Sequence, residues 1–159
     1  MIRAAVGGEP MATPDPEETM SQAERVLRAY SETFEKADVD GLAAMYAART
    51  DYRQPYSPEP LTSPAEVKAF EAGMFAAFSD ISLEVEWLVT NGDEGAAGVR
   101  LRATHTSAMP APDGGEIPAT NRTIELHTAE HIRLDGAGKI VEHRRYMDSG
   151  DFFRQLGLA

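Results

Sequence analysis

The hydrophobic period of this chain changes once, near residue 80, and that change restricts the folds open to it. Before it, apolar residues recur at helical spacing: Val26, Leu27, Tyr30 and Phe34, then Val67, Phe70, Met74 and Phe78. After it, Ile81, Leu83, Val85, Trp87 and Val89 stand two apart with polar residues between them, the period of a strand. The spacing predicts a first helix over 16–37 and a short second one, capped by Asp38, that carries Leu42, Met45 and Tyr46. A third begins at Ser63-Pro64-Ala65-Glu66, where Ser63 caps, Pro64 suits the first turn and Glu66 completes a capping box. Residues 51–60 read as a loop or a short strand. Further strands are expected over 96–106, 120–134 and 140–148, with turns at 91–95 and 135–138 and a Pro- and Gly-rich connection over 107–119. Helices first and hairpin-linked strands afterwards make an α+β domain, three N-terminal helices packed on one face of a curved antiparallel sheet.

At 159 residues the chain suits one domain, expected over 19–159 after a disordered leader over 1–18 rich in Gly, Pro and acids. Cysteine is absent, which excludes disulfides, thiolate metal sites and a cysteine nucleophile. The net charge of -11 disfavours nucleic acid or an anionic membrane as partner. No run approaches the ~20 apolar residues of a membrane span, and the N-terminus lacks an apolar signal core, so a cytoplasmic protein is expected. The three lysines, Lys36, Lys68 and Lys139, fall at a helix end, on a polar helical face and in a turn, which argues against an imine-forming aldolase. There is no Gly-rich phosphate loop after a strand and no Gly-x-Ser-x-Gly.

Strict alternation in the last strand puts Ile140, Glu142, Arg144, Tyr146 and Asp148 on one face and Val141, His143, Arg145 and Met147 on the other. If the first face lines a cavity, Asp148 is a carboxylate in an apolar chamber, where a raised pKa lets it move protons near neutral pH. Arg144 would share that face and could pair with it. His105 shares an inward face with Val99, Leu101 and Ala103. Tyr30, Trp87 and Tyr146 read as core or as substrate-stacking groups, Tyr146 being the one beside Asp148. Arg122 suits either an acidic substrate group or an exposed strand start. His127 and His131, four apart, share a face but lack the spacing or the carboxylate of a metal site, so no metal is expected and His131 stands with the substrate-facing residues.

Several short stretches carry a family resemblance: Gly138-Lys139-Ile140, His143-Arg144, Asp148, Arg154-Gln155-Leu156-Gly157, Thr104-His105-Thr106 and Ile117-Pro118-Ala119-Thr120-Asn121-Arg122. Over roughly residues 22–158 the chain resembles the SnoaL-like polyketide cyclases, within the nuclear-transport-factor-two-like superfamily of cone-shaped α+β barrels. The resemblance implies that Asp148 is a general acid/base, that His105 faces the same pocket, and that Gln54, in Arg53-Gln54-Pro55, fills a polar pocket position. It implies a cofactor-independent, aldol-type ring closure on an apolar, polyketide-like substrate. It also implies a homodimer or homotetramer formed through the outer sheet face, made basic here by Arg100, Arg102, His143 and Arg145. Similar folds host epoxide hydrolases, isomerases, cofactor-free hydroxylases and non-catalytic ligand-binding modules, so these stand as alternatives.

Overall fold

A computed structural model describes residues 19–158; the leader expected over 1–18 lies outside the described residues. Side-chain caps set the starts of the helices. The Ser21 hydroxyl accepts from the Glu24 amide at 3.1 Å and opens α1 (Gln22–Glu35), whose buried stripe is Ala23, Leu27, Tyr30 and Phe34. Asp38 accepts from the Gly41 amide at 2.9 Å and opens α2 (Val39–Ala44). The chain then enters β1 (Tyr46–Arg53). Ser63 caps α3 (Pro64–Ala77), and Glu66 reaches back to the Thr62 amide at 2.6 Å. The strands β2 (Phe78–Asn91), β3 (Glu94–His105), the short pair β4 (Met109–Pro110) and β5 (Glu116–Ile117), β6 (Thr123–Leu134) and β7 (Ile140–Tyr146) follow, and α4 (Ser149–Gln155) closes the described chain.

The main sheet runs β1-β7-β6-β3-β2; it is curved and does not close, and four helices pack on it. Two elements depart from expectation. Tyr46 begins a strand instead of ending a helix, and β1 lies parallel to β7, so the sheet is not wholly antiparallel. The open edge of β7 draws β1 in: the Ile140 amide donates to the Met45 carbonyl at 2.9 Å, a contact between residues 95 positions apart that no local pattern announces. The tail also forms the helix α4, with Phe152 and Leu156 buried against Phe78, Ile124 and Leu126. Among the described residues no helix is long and apolar enough to cross a membrane.

Extra residues in the strands decide which side chains face the helices. Asp80, at φ 53°, interrupts β2 so that Phe78 and Ile81 both turn inward. Farther along, Val85 pairs with Val99 but Trp87 pairs with Gly98, which leaves Glu86 unmatched. In β7, Ile140 pairs with Leu134 and Glu142 with Arg133, which leaves Val141 unmatched. Each bulge reverses the alternation beyond it. Past Glu86, Leu88 packs on the core while Trp87 and Val89 are exposed. Trp87 lies across Gly98, where a Cβ would come within 1.9 Å of the indole nitrogen, so any larger residue there would push the indole off the strand. Past Val141, His143 turns inward and is fully buried, Arg145 and Met147 follow it, and Tyr146 is left 59% exposed. The last strand therefore presents to the interior the face opposite to the one strict alternation assigns.

Candidate active site

Arg145 lies at the centre of what the reversed strand brings inside. Its side chain is 9% exposed and makes three bonds. Nε donates to Glu130 Oε1 at 2.9 Å, one terminal nitrogen to Glu71 Oε1 at 3.4 Å, and the other to the Tyr30 hydroxyl at 3.1 Å. Glu130 Oε2 meets His143 Nε2 at 2.6 Å, and His143 Nδ1 meets the Tyr46 hydroxyl at 2.7 Å. The Tyr30 and Tyr52 hydroxyls each donate to Glu71 Oε1 at 3.2 Å. Among the described residues Glu71 Oε2 has no hydrogen-bond partner. The His143 ring stacks on Tyr52 with centroids 4.2 Å apart and planes 10° apart, and the Arg145 guanidinium lies 5.3 Å from the Phe34 ring centre. Five elements contribute: α1 gives Tyr30, β1 gives Tyr46 and Tyr52, α3 gives Glu71, β6 gives Glu130, and β7 gives His143 and Arg145.

This arrangement fixes the protons. Burial favours the neutral form of His143 and pulls its pKa down, against the opposing pull of Glu130. The neutral ring then donates from Nε2 to Glu130 and accepts at Nδ1 from Tyr46. Burial opposes ionisation of Glu130, but the Arg145 guanidinium and the His143 bond outweigh it and hold the carboxyl below its usual range. Burial works against the charge on Arg145 as well; Glu130, Tyr52 and Glu71 reverse the balance and raise its pKa. Desolvation pushes the Tyr30 hydroxyl far up, so it stays a donor.

Above the network is a chamber of about 50 Å³, lined on its polar side by Tyr30, Ser31, Thr128, Glu130 and Arg145 and otherwise by apolar side chains such as Phe34, Leu101 and Met147. A second, apolar chamber of about 30 Å³ lies against Phe34, Phe78 and Phe152. An outer groove of about 400 Å³ runs between α3, the β4 segment and α4.

Of the residues singled out from the sequence, Tyr30 lines the polar chamber. The others lie elsewhere. Asp148 is exposed, and its carboxylate accepts from the Asp151 amide at 2.9 Å as the cap of α4, because the Val141 bulge turns that face outward and the strand ends at Tyr146. His105 is buried, but its Nδ1 accepts from the Thr120 amide at 3.3 Å and its ring packs on Phe78, which pins the connection before β6; burial lowers its pKa. Gln54 is buried with its side-chain oxygen on the Tyr56 amide at 2.6 Å, so it holds the loop and lines none of the three cavities. Trp87 and Tyr146 are on the outer face. His131 is on that face too, 3.9 Å from Glu94. Arg122 is exposed and lies over Gly157. The basic outer face dissolves as well: His143 and Arg145 are inside, Arg100 pairs with Glu84, and Arg102 lies 3.9 Å from Glu125.

Sequence reasoning passed over Glu71 and Glu130, yet both carried a signal. Glu71 falls on the apolar stripe of α3, four residues after Val67. Glu130 interrupts the inward series Ile124, Leu126, Thr128, Ile132 and Leu134 of β6. A carboxylate on an apolar face needs a buried partner, and Arg145 is that partner.

The model of the family described as SnoaL-like polyketide cyclase matches residues 24–156. No curated protein matches the chain. Among solved structures, TsrD from Streptomyces laurentii superposes with a TM-score of 0.72 at 20% identity, covering 92% of this chain and 100% of that one. "AclR a putative hydroxylase from Streptomyces galilaeus" gives 0.71 at 20% identity over 87% of this chain and 97% of that one. A "putative polyketide cyclase" from Xanthomonas campestris pv. campestris gives 0.74 at 18% identity over 85% and 96%. At such identities these likenesses establish the fold alone, while the family match spans nearly all the described residues. The chain belongs to the SnoaL-like polyketide cyclase family.

Proposed function

We propose that this protein is a cofactor-independent polyketide cyclase that closes a ring by an intramolecular aldol step, with the chemistry at Glu130 and Arg145. The observation that carries the reading is an enclosed carboxylate, bonded to a neutral histidine on one oxygen and to a guanidinium on the other, facing an apolar chamber. A C–H between two carbonyls is already acidic. Glu130 takes that proton, while the His143 Nε2–H, 2.6 Å behind it, holds the carboxyl in place. Guanidinium has five N–H donors; three are engaged here, so two remain for the enolate oxygen. The enolate carbon then attacks a second carbonyl of the same molecule, a C–C bond forms, and the protonated Glu130 returns its proton to the new alkoxide. A carboxylate held low is a weak base, so Arg145 must supply the matching stabilisation of the oxyanion. One positioned acid/base group contributes on the order of 10²–10⁴-fold, and holding both carbonyls together up to ~7–11 kcal/mol.

Glu130→Gln should lower turnover of an aromatic poly-β-keto ester by ~10²-fold or more, while Asp148→Asn, which keeps a capping side chain, should leave it unchanged. The reverse pattern would return the role to Asp148 and end this reading. A second reading draws on Glu71 and Glu130 flanking Arg145, since two carboxylates about one arginine also suit epoxide hydrolysis. One would take a proton from water while the other, protonated, gives one to the opening oxygen. Incorporation of ¹⁸O from solvent water into a diol product would select it.

Pairing of two copies through the outer sheet face is part of the proposal. Trp87, Gly98, Ala129 and Tyr146 form one row across four strands there, with the two aromatic side chains exposed at its ends.

A further inference from the structure

Gly73 lies inside α3, where glycine weakens a helix. Nothing in the fold requires it: the backbone there is helical, and a Cβ built at Gly73 meets nothing within 4 Å. The space it leaves belongs to the outer groove, about 400 Å³, walled by apolar side chains that include Leu61, Phe70, Met109 and Phe153. That volume and lining suit the body of a small organic ligand, whereas the inner chambers of about 50 and 30 Å³ have room for one end of it. Tyr56 and Met74 line the groove and both chambers, so they form the wall between them.

We infer that the groove holds the apolar body of the ligand, that Gly73 sets its depth, and that Tyr56 and Met74 are the partition through which one polar end reaches Arg145. The occupant is an elongated, uncharged apolar molecule with its carbonyls grouped towards one end. Charge complementarity disfavours a charged body, because no charged side chain lines the groove among the described residues, and the chamber behind the Tyr56–Met74 wall, which Arg145 lines, suits an oxygen-bearing end. The inference rests on the proposed function only in taking Arg145 as the destination.

The test uses 6-propionyl-2-dimethylaminonaphthalene, a neutral, elongated ketone whose emission shifts to the blue in dry surroundings. It should bind the full chain with a blue shift. Gly73→Leu should weaken binding by about tenfold or more, with an unchanged or higher melting temperature because leucine favours helix. Gly73→Ser, too short to fill the groove, should bind as the parent does. Tyr56→Ala, on a loop, should raise the association rate about tenfold. No binding to the parent, or Gly73→Leu binding as tightly as the parent, would overturn the inference. An unchanged rate in Tyr56→Ala would overturn the partition. Ketone binding is read without turnover, so a failed catalytic reading and a failed groove reading give different results.

Discussion

Arg144 and Arg145 are neighbours in sequence, each pairs with two carboxylates, and they face opposite sides of one sheet. Arg144 meets Asp51 at 3.2 Å and Glu142 at 3.3 Å near solvent, its side chain 21% exposed. Arg145 meets Glu130 at 2.9 Å and Glu71 at 3.4 Å beneath the helices, 9% exposed. Each cluster is built on one arginine and two carboxylates, and their consequences differ. Outside, water screens each charge and can replace any partner. Inside, each partner is the only solvation the others have, so the cluster is all-or-none and its proton positions are fixed.

The largest effect comes from exchanging the two faces. Inserting one alanine between Glu142 and His143 shifts the count by one and would turn Arg144 and Tyr146 under the helices; loss of any cooperative thermal transition is expected, and a parent-like melt would break the comparison. Next is Arg145→Met, which keeps volume but leaves Glu71 and Glu130 without their cation. Urea unfolding should show a loss of about 3–5 kcal/mol, along with loss of turnover.

Acidity gives the third. The pKa of His143 is lower in the fold than its unfolded value of ~6.5, so the unfolded chain binds a proton first. Its stabilisation is full above that value and is lost as pH falls through the folded pKa. His105 acts in the same direction. Glu130, also lowered, contributes fully above its unfolded value of ~4.3 and loses that contribution as pH falls through its own folded pKa. The melting temperature should therefore drop between pH 7.5 and 5.5, and less steeply in His143→Gln. An identical slope in the variant would remove His143 from the account. Smallest of all is Arg144→Ala, expected to cost about 1 kcal/mol or less in the same urea assay; a cost equal to that of Arg145→Met would erase the distinction between the two faces.

Much of the fold could be read locally. Asp38 and Ser63 cap the helices they were expected to cap, because a cap is an interaction within four residues. The β2–β3 and β6–β7 hairpins follow from their turns and alternation. Part of the candidate site is legible too: Tyr30 stands on the buried stripe of α1, and Glu71 and Glu130 are carboxylates on otherwise apolar faces. Asp148, Tyr146 and Trp87 were misplaced for one shared reason. Alternation carries no record of an extra residue, and Glu86 and Val141 each shift the count by one.

The sequence by itself determined the change from helical to strand period, the caps at Asp38 and Ser63, the apolar faces of the helices and the family, since these are properties of residues near one another or of a pattern held along the chain. Tertiary structure alone decided that β1 lies parallel to β7 and that Arg145, not Asp148, faces the chamber. Strand register is settled by the partner strand: a bulge forms where burying Ile140 against Leu134 and His143 against Tyr52 cannot both be met by strict alternation, and that balance exists only once all the strands are together.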